Sequence, residues 1–258
     1  MTAVAGQAQM DFLSGVSPGD DASPRVRVSG RARRLSIRVY PDARVEVVVP
    51  PRARPREIEL FVAAHREWIE QKRAQAIRRR PPPQPFPPES IELRATGELL
   101  RLQVTSGPGR LRIAMDGGGA LEAERTLHVT GRFDQSSLRR AMRAWLMESA
   151  RERLTPRVAT LAEAAGVPYA RVAIRRQRSR WGSCSARGTI SLNACLLFQR
   201  PEVVDYLIVH ELMHVRHMNH SGRFWQAVER HCAGWRALDR ELLQGWRWVP
   251  RWVFSDEN

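Results

Sequence analysis

"PEVVDYLIVHELMHVRHMNH", residues 201–220, begins with a proline and ends in a cluster of four histidines. A proline is tolerated at the first position of a helix, where its missing N–H costs nothing. Val203, Val204, Leu207, Ile208, Val209, Leu212, Met213 and Val215 then leave almost no polar side, so the stretch predicts a buried helix. Residues four apart in a helix share a face about 6 Å apart along the axis, so His210 and His214 can aim two imidazoles at one point. That is half of a zinc site. Glu211 is rotated by about 100° and can reach a water held there without being a ligand, which suits a general base. Buried ionisable groups cost several kcal/mol unless paired or coordinated, and one metal ion would meet that objection for several of them together.

A catalytic zinc commonly takes three protein ligands and leaves a fourth position for water, whose pKa it lowers towards about 7. Five of the seven histidines fall between positions 210 and 231, so candidates for the third ligand are close by: His217, His220, Glu229 and His231. His217 lies on the same stripe only if the helix continues, and it would then approach along the helix axis with poor tetrahedral geometry. His220 requires the helix to stop and the chain to turn back, for which a left-handed Asn219 could serve. The spacing from His210 to His220 equals that of the HExxHxxGxxH pattern, with His217 standing where that pattern has glycine. Glu229 would come from the next helix.

Outward from this stretch, the 258 residues and 43% hydrophobic content suffice for a sizeable core. No apolar run reaches the roughly 18 residues of a membrane span, and residues 1–24 show neither a secretion leader nor periodicity. They read as a disordered lead, and the protein as cytoplasmic with no membrane partner. Cys184, Cys195 and Cys232 form no CxxC pair, so neither a disulfide framework nor a cysteine zinc finger is indicated. The formal charge of +15 raises nucleic acid as a partner through counterion release. However, Lys72 is the only lysine, and arginine is spread along the whole chain, as codon bias would also produce. Nucleic acid therefore stays open as a partner but is not indicated by any patch.

Residues 35–49 alternate on both sides of Pro41-Asp42 and predict a β-hairpin. PRARPREIELFVAAHREWIEQKRAQAIRRR (51–80) predicts one helix from Pro55, and PPPQPFPP (81–88) a stiff extended connector. Residues 90–131 read as short antiparallel strands. A long helix follows from Gln135 to about Ala165, with Ser136 or Ser137 as its cap and Pro156 as a kink or break. VAIRRQRSRWGSCSARGTISLNA (172–194) reads as strand, turn, strand, and helices follow near 222–231 and 237–244. Strands followed by helices give an α+β class. The expected division is a β-rich N-terminal region over 25–131 with one helix, a catalytic domain over 132–246, and a Trp-rich tail over 247–258 that docks as a hydrophobic end.

Three separated blocks carry a resemblance: SRWGSCSARGTISLN (179–193), PEVVDYLIVHELMH (201–214) and NHSGRFWQAV (219–228). With LSIRVYPDARVEVVVPP (35–51) and FVAAHREWI (61–69), the sequence resembles the YgjP-like zinc metallopeptidase family, related to SprT-type proteases, over roughly residues 28–245. The stretches PPPQPFPP and SGPGRLRIAMDGGGA depart from the family's compact pattern. The resemblance implies a zincin-like catalytic domain with an HExxH active-site helix, one Zn²⁺ held by His210, His214 and His220, Glu211 as catalytic base, and a protein or peptide substrate. On that footing RGTISLN reads as an edge strand, on which Thr189, Ile190 and Ser191 would hold an extended substrate by β-augmentation. Arg180, Trp181 and Cys184 either shape the cleft or pack under the helix. Ser221 reads as the next helix cap, Phe224 and Trp225 as packing that holds His220, and Tyr206 as a core residue. Two rival readings remain: a DNA-associated protein-processing factor recruited by its arginine surface, and a structural zinc domain without turnover.

Overall fold

The structure is a computed structural model that describes residues 24–78, 84–116 and 124–254. The lead expected over 1–24 thus lies, Pro24 apart, outside the described residues, as does the start of the proline connector. The chain divides between Arg80 and Pro81 into two compact units. That division falls at the start of the proline stretch, and the strands of 90–131 share a core with the following helix.

In the first unit, β1 (Arg25–Val28) runs parallel to β3 (Val45–Val49), and β2 (Ser36–Val39) pairs antiparallel with β3 from its other side. The hairpin is as expected. Val47, Val48 and Val49 are buried. The single helix expected after Pro55 is two: α1 (Pro55–Ala64) and α2 (Arg66–Arg78), separated at His65. The His65 ring bonds the Phe61 carbonyl oxygen at 2.8 Å, giving the terminal turn of α1 a side-chain partner.

The second unit opens with a four-stranded sheet in the order β4 (Ser90–Leu93), β5 (Glu98–Ser106), β7 (Glu124–Gly131), β6 (Arg112–Met115). The outer pairs are antiparallel, but β5 and β7 run parallel, contrary to the all-antiparallel expectation. Next comes α3 (Gln135–Ala165), whose cap is Asp134 rather than either serine; Ser137 returns a bond to the Asp134 backbone N–H and completes a capping box. Its buried residues Leu138, Met142, Leu146, Ala150, Leu154, Val158 and Ala162 recur every four positions. Each such step overshoots a full turn by about 40°, so the apolar stripe winds around the helix and meets different neighbours along its length. Pro156 does not split α3. It is exposed, and the helix continues through it without the one backbone hydrogen bond that a proline cannot donate.

A second sheet, β8 (Arg171–Arg175), β10 (Thr189–Asn193) and β9 (Gly182–Cys184), has β10 in the middle. Behind it follow a 3-10 turn (Ala194–Phe198), α4 (Pro201–Arg216), α5 (Gly222–His231) and α6 (Trp235–Gln244). The last described residues dock as expected, with Trp252 and Val253 buried. The architecture is mixed α+β, and no described helix is long and apolar enough to cross a membrane.

Candidate metal centre

The helix α4 begins at Pro201 as expected and buries Val203, Val204, Leu207, Ile208, Val209, Leu212 and Met213. At roughly 1.5–3 kcal/mol per fully buried side chain, this packing is large enough to carry one ionisable group into the interior. That group is Glu211, whose residue is 5% exposed. The helix stops after Arg216, and His217 turns extended at φ −134 and ψ 95. Asn219 does not provide the left-handed turn expected of it. Among the described non-glycine residues only Ala43 has positive φ, and ordinary bends at Met218 and Asn219 reverse the chain instead.

The reversal brings His220 back over the helix. Ligand nitrogens of His210, His214 and His220 all lie within 4.8 Å of one another, the sole His/Cys/Asp/Glu cluster of this kind among the described residues. His220 Nε2 and His210 Nε2 are 3.1 Å apart. Tetrahedral zinc with bonds of 2.0–2.1 Å would space its nitrogens by about 3.3 Å. His214 Nδ1–H donates to the His217 carbonyl oxygen at 3.0 Å, so its Nε2 is the nitrogen left with a lone pair. Burial, then His214 and His220, push the His210 pKa down to about 3; burial also lowers that of His214. Both rings are therefore neutral at pH 7, as ligands must be. One shared proton could reconcile a single pair of facing nitrogens, whereas a cation reconciles all three.

The remaining candidate ligands lie elsewhere. Glu229 is exposed on α5 and pairs with Arg236 at 3.7 Å, and His231 is exposed at the end of that helix. His217 contributes its carbonyl to His214, not its ring to the cluster. Ser221 occupies the N-cap position of α5 but makes no side-chain cap bond. The aromatic residues of α5 support the histidines: Phe224 stacks on His214 with centroids 4.5 Å apart, and Trp225 on His220 at 5.4 Å.

Glu211 lies against β9. Its carboxylate accepts the Cys184 backbone N–H, while Oε2 is buried with no hydrogen-bond partner. Burial pushes its pKa up to about 8, against the lowering influences of Arg180 and the Cys184 N–H. Cys184 stays a thiol, raised by burial and then by Glu211. Gly182 makes room for the carboxylate: a Cβ there would stand 2.6 Å from Glu211 Oε1 and 2.9 Å from its Cγ. Sequence reading missed Gly182, whose only local signal is a glycine set directly after a tryptophan. It also missed Asn193, fully buried at the end of β10. Asn193 Nδ2 donates to the carbonyls of Gln177 and Arg180, and its Oδ1 accepts from Cys195 N–H, which ties the loop before Gly182 to the sheet.

Two expectations about the cleft need correction. First, β10 is not an edge strand: it pairs with β8 from Thr189 to Asn193 and with β9 from Ile190 to Leu192. Both of its hydrogen-bonding sides are thereby engaged, so Thr189, Ile190 and Ser191 cannot add a substrate strand. Second, Trp181 is 8% exposed and stacked on Trp246 at 4.1 Å, which makes it a packing residue rather than a substrate contact. Arg180 is exposed and within electrostatic reach of Glu211.

A family model described as YgjP-like, metallopeptidase domain, matches residues 33–244. The chain belongs to the YgjP-like family. It is accordingly a metallopeptidase, a metal-dependent hydrolase of peptide bonds, as the three sequence blocks suggested. Among solved structures, the YgjP-like chain aligns with the metallopeptidase zymogen of Pyrococcus abyssi abylysin at 25% identity, covering 33% of this chain and 88% of that one with a TM-score of 0.31. It also aligns with the zymogen of Methanocaldococcus jannaschii jannalysin at 19% identity, covering 34% and 90% with a TM-score of 0.31. No curated protein matches.

Gly182→Ala should therefore displace the Glu211 carboxylate without touching a histidine. Misplacement of a catalytic group by about 1 Å can cost about 10²-fold, so, with Glu211 as the base that the sequence leads one to expect, kcat/KM for peptide hydrolysis should fall by that order with metal content unchanged. Equal activity would show that Glu211 needs no such seat.

Proposed function

We propose that this YgjP-like protein is a zincin-like, zinc-dependent peptidase in which His210, His214 and His220 hold the ion and Glu211 is the general base. The observation that carries this reading is the convergence of three histidine nitrogens within 4.8 Å at a helix that also carries a buried carboxylate with one unpartnered oxygen. Borderline-soft Zn²⁺ suits an all-imidazole donor set, and three protein ligands are the usual complement of a catalytic rather than a structural site. A zinc ion held there would act as a Lewis acid on the scissile carbonyl and bring the pKa of water near neutrality.

The chain's own part is proton handling and placement. Glu211, seated by Gly182 and the Cys184 N–H, takes the proton of the attacking water and passes it to the leaving amine nitrogen. His214 is held in one tautomer by the His217 carbonyl. The half-buried strand β9 borders Glu211, and we assign the substrate's main chain to its vicinity in place of Thr189–Ser191. Arg180 is the exposed cation of that neighbourhood. A purely structural zinc site would gain nothing from Glu211, since a hollow made by Gly182 for a carboxylate buried at a cost of several kcal/mol has no use in holding the fold together.

The test is hydrolysis of an unstructured protein substrate, followed by mass spectrometry, during zinc titration of chelator-stripped protein. Cleavage should rise with bound zinc and saturate near one ion per chain. Zinc uptake without cleavage would favour the structural alternative.

A further inference from the structure

The metal-centre residues are braced from α6 through an aromatic and hydrogen-bonded frame that the catalytic reading does not use. Tyr206 lies one turn before His210 on α4 and is 1% exposed. Its hydroxyl donates to Asp239 Oδ1 on α6 at 2.7 Å, and the same oxygen lies 3.5 Å from His210 Nδ1. A phenol has one proton, and Asp239 takes it, so towards His210 the hydroxyl can only accept. The ring nitrogen facing Tyr206 must then be the N–H, which leaves His210 Nε2 bare and turned towards His220. A packing role alone would be met by phenylalanine.

The other end of the frame reaches His220. Trp235, the first residue of α6, stacks nearly parallel to the Tyr206 ring at 6.4 Å and to Trp225 at 4.0 Å, and Trp225 in turn stacks on His220 at 5.4 Å. One helix thus supports two of the three histidines, one by a hydrogen-bonded relay and one by a stack. His220 comes from the exposed turn after α4 and has few other supports, while His210 is fixed on the helix but could present either nitrogen.

We propose that Tyr206 and Asp239 are positioning residues for the metal: the relay Asp239–Tyr206–His210 sets the tautomer of His210, and Trp235 of α6, stacked on Trp225 of α5, fixes His220. The inference rests on the zinc reading above. Groups in this position orient the ligand and raise its basicity, and their loss typically lowers metal affinity by about 10–100-fold.

The experiment compares wild type, Tyr206→Phe and Asp239→Asn for zinc affinity by chelator competition, thermal stability of the metal-free protein, and the imidazole ¹⁵N–¹H spectrum. Tyr206→Phe keeps the ring and its stack, and should bind zinc about 10–100-fold more weakly with the metal-free melting temperature little changed. Asp239→Asn keeps an acceptor oxygen and should show a smaller loss in the same direction. The His210 Nδ1–H tautomer should dominate in wild type and give way to a mixture in Tyr206→Phe, a change that a packing residue would not produce. Wild type that binds zinc beside a Tyr206→Phe protein of equal affinity and unchanged tautomer overturns this inference alone. Wild type that takes up no zinc overturns the zinc reading and this inference with it.

Discussion

His220→Ala should strip the protein of its metal, whereas His217→Ala should leave it bound. The two variants remove the same side chain three residues apart, so they separate a metal ligand from a histidine that merely lies nearby. His220 supplies one of three converging nitrogens, and without it two imidazoles on one face of α4 remain. The loss in zinc affinity should exceed the roughly 10–100-fold cost of removing an outer partner of a ligand. His217 contributes through its main chain: its carbonyl oxygen accepts from His214 Nδ1–H, and its own N–H closes the helix on Met213 O. Alanine retains both groups, so affinity should stay within a few-fold of wild type. Chelator competition measures both. Retained zinc in His220→Ala would mean that the third ligand is another group.

Glu211→Gln should abolish most hydrolysis while keeping the zinc. The amide is nearly isosteric with the carboxylate and cannot take a proton, and positioned acid–base groups contribute about 10²–10⁴-fold. A kcat/KM reduced by that factor at full metal occupancy is the expected result; unchanged turnover would remove Glu211 from the mechanism. The same substitution has a second readout in the metal-free protein. The Glu211 pKa is raised from 4.5 to about 8 in the folded state. A carboxyl group whose folded pKa is raised is at no disadvantage below its unfolded pKa, and it costs stability as the pH rises towards the folded one. Glu211 should therefore contribute a loss of stability on the order of 5 kcal/mol between about pH 4.5 and 8 in the metal-free protein, against an opposing gain up to about pH 6.5 from His210 and His214, whose pKa values are lowered; the difference between wild type and Glu211→Gln isolates it. Glu211→Gln should lack that slope, and zinc loading should reduce it, because a nearby cation favours the carboxylate. Denaturant unfolding at several pH values measures it.

The parts of this site that lie close together in sequence were legible there. Pro201 marks the start of α4, the i, i+4 spacing places His210 and His214 on one face, and the apolar surroundings of Glu211 announce its burial. The hairpin of 35–49 and the helix at 222–231 were readable for the same reason, since periodicity reports which faces are buried. What periodicity cannot report is the neighbour. Ile190 and Leu192 are buried and Thr189 and Ser191 half-buried, an alternation that an edge strand and a central strand share, and only the pairing of β8 and β9 with β10 separates them. For Trp181 the sequence leaves cleft-shaping and packing both open, because its stacking partner Trp246 comes from the far end of the chain. The cap of α3 lies two or three residues before the serine pair that the sequence suggests, because Ser137 is the capping-box partner of Asp134 and not the cap itself. Gly182 and Asn193 act through one close approach and three hydrogen bonds, none of which leaves a periodic trace.

The central claim, that three histidines and a seated glutamate form a catalytic zinc centre, is tested most directly by metal analysis coupled to activity on one sample. Chelator-stripped protein is titrated with zinc while bound metal and cleavage of an unstructured protein are followed together. The account predicts one zinc per chain, hydrolysis that rises in step with it, and a Glu211→Gln control that binds the same zinc without cleaving. Protein that takes up no zinc on titration, or that cleaves equally well without it, would contradict the account.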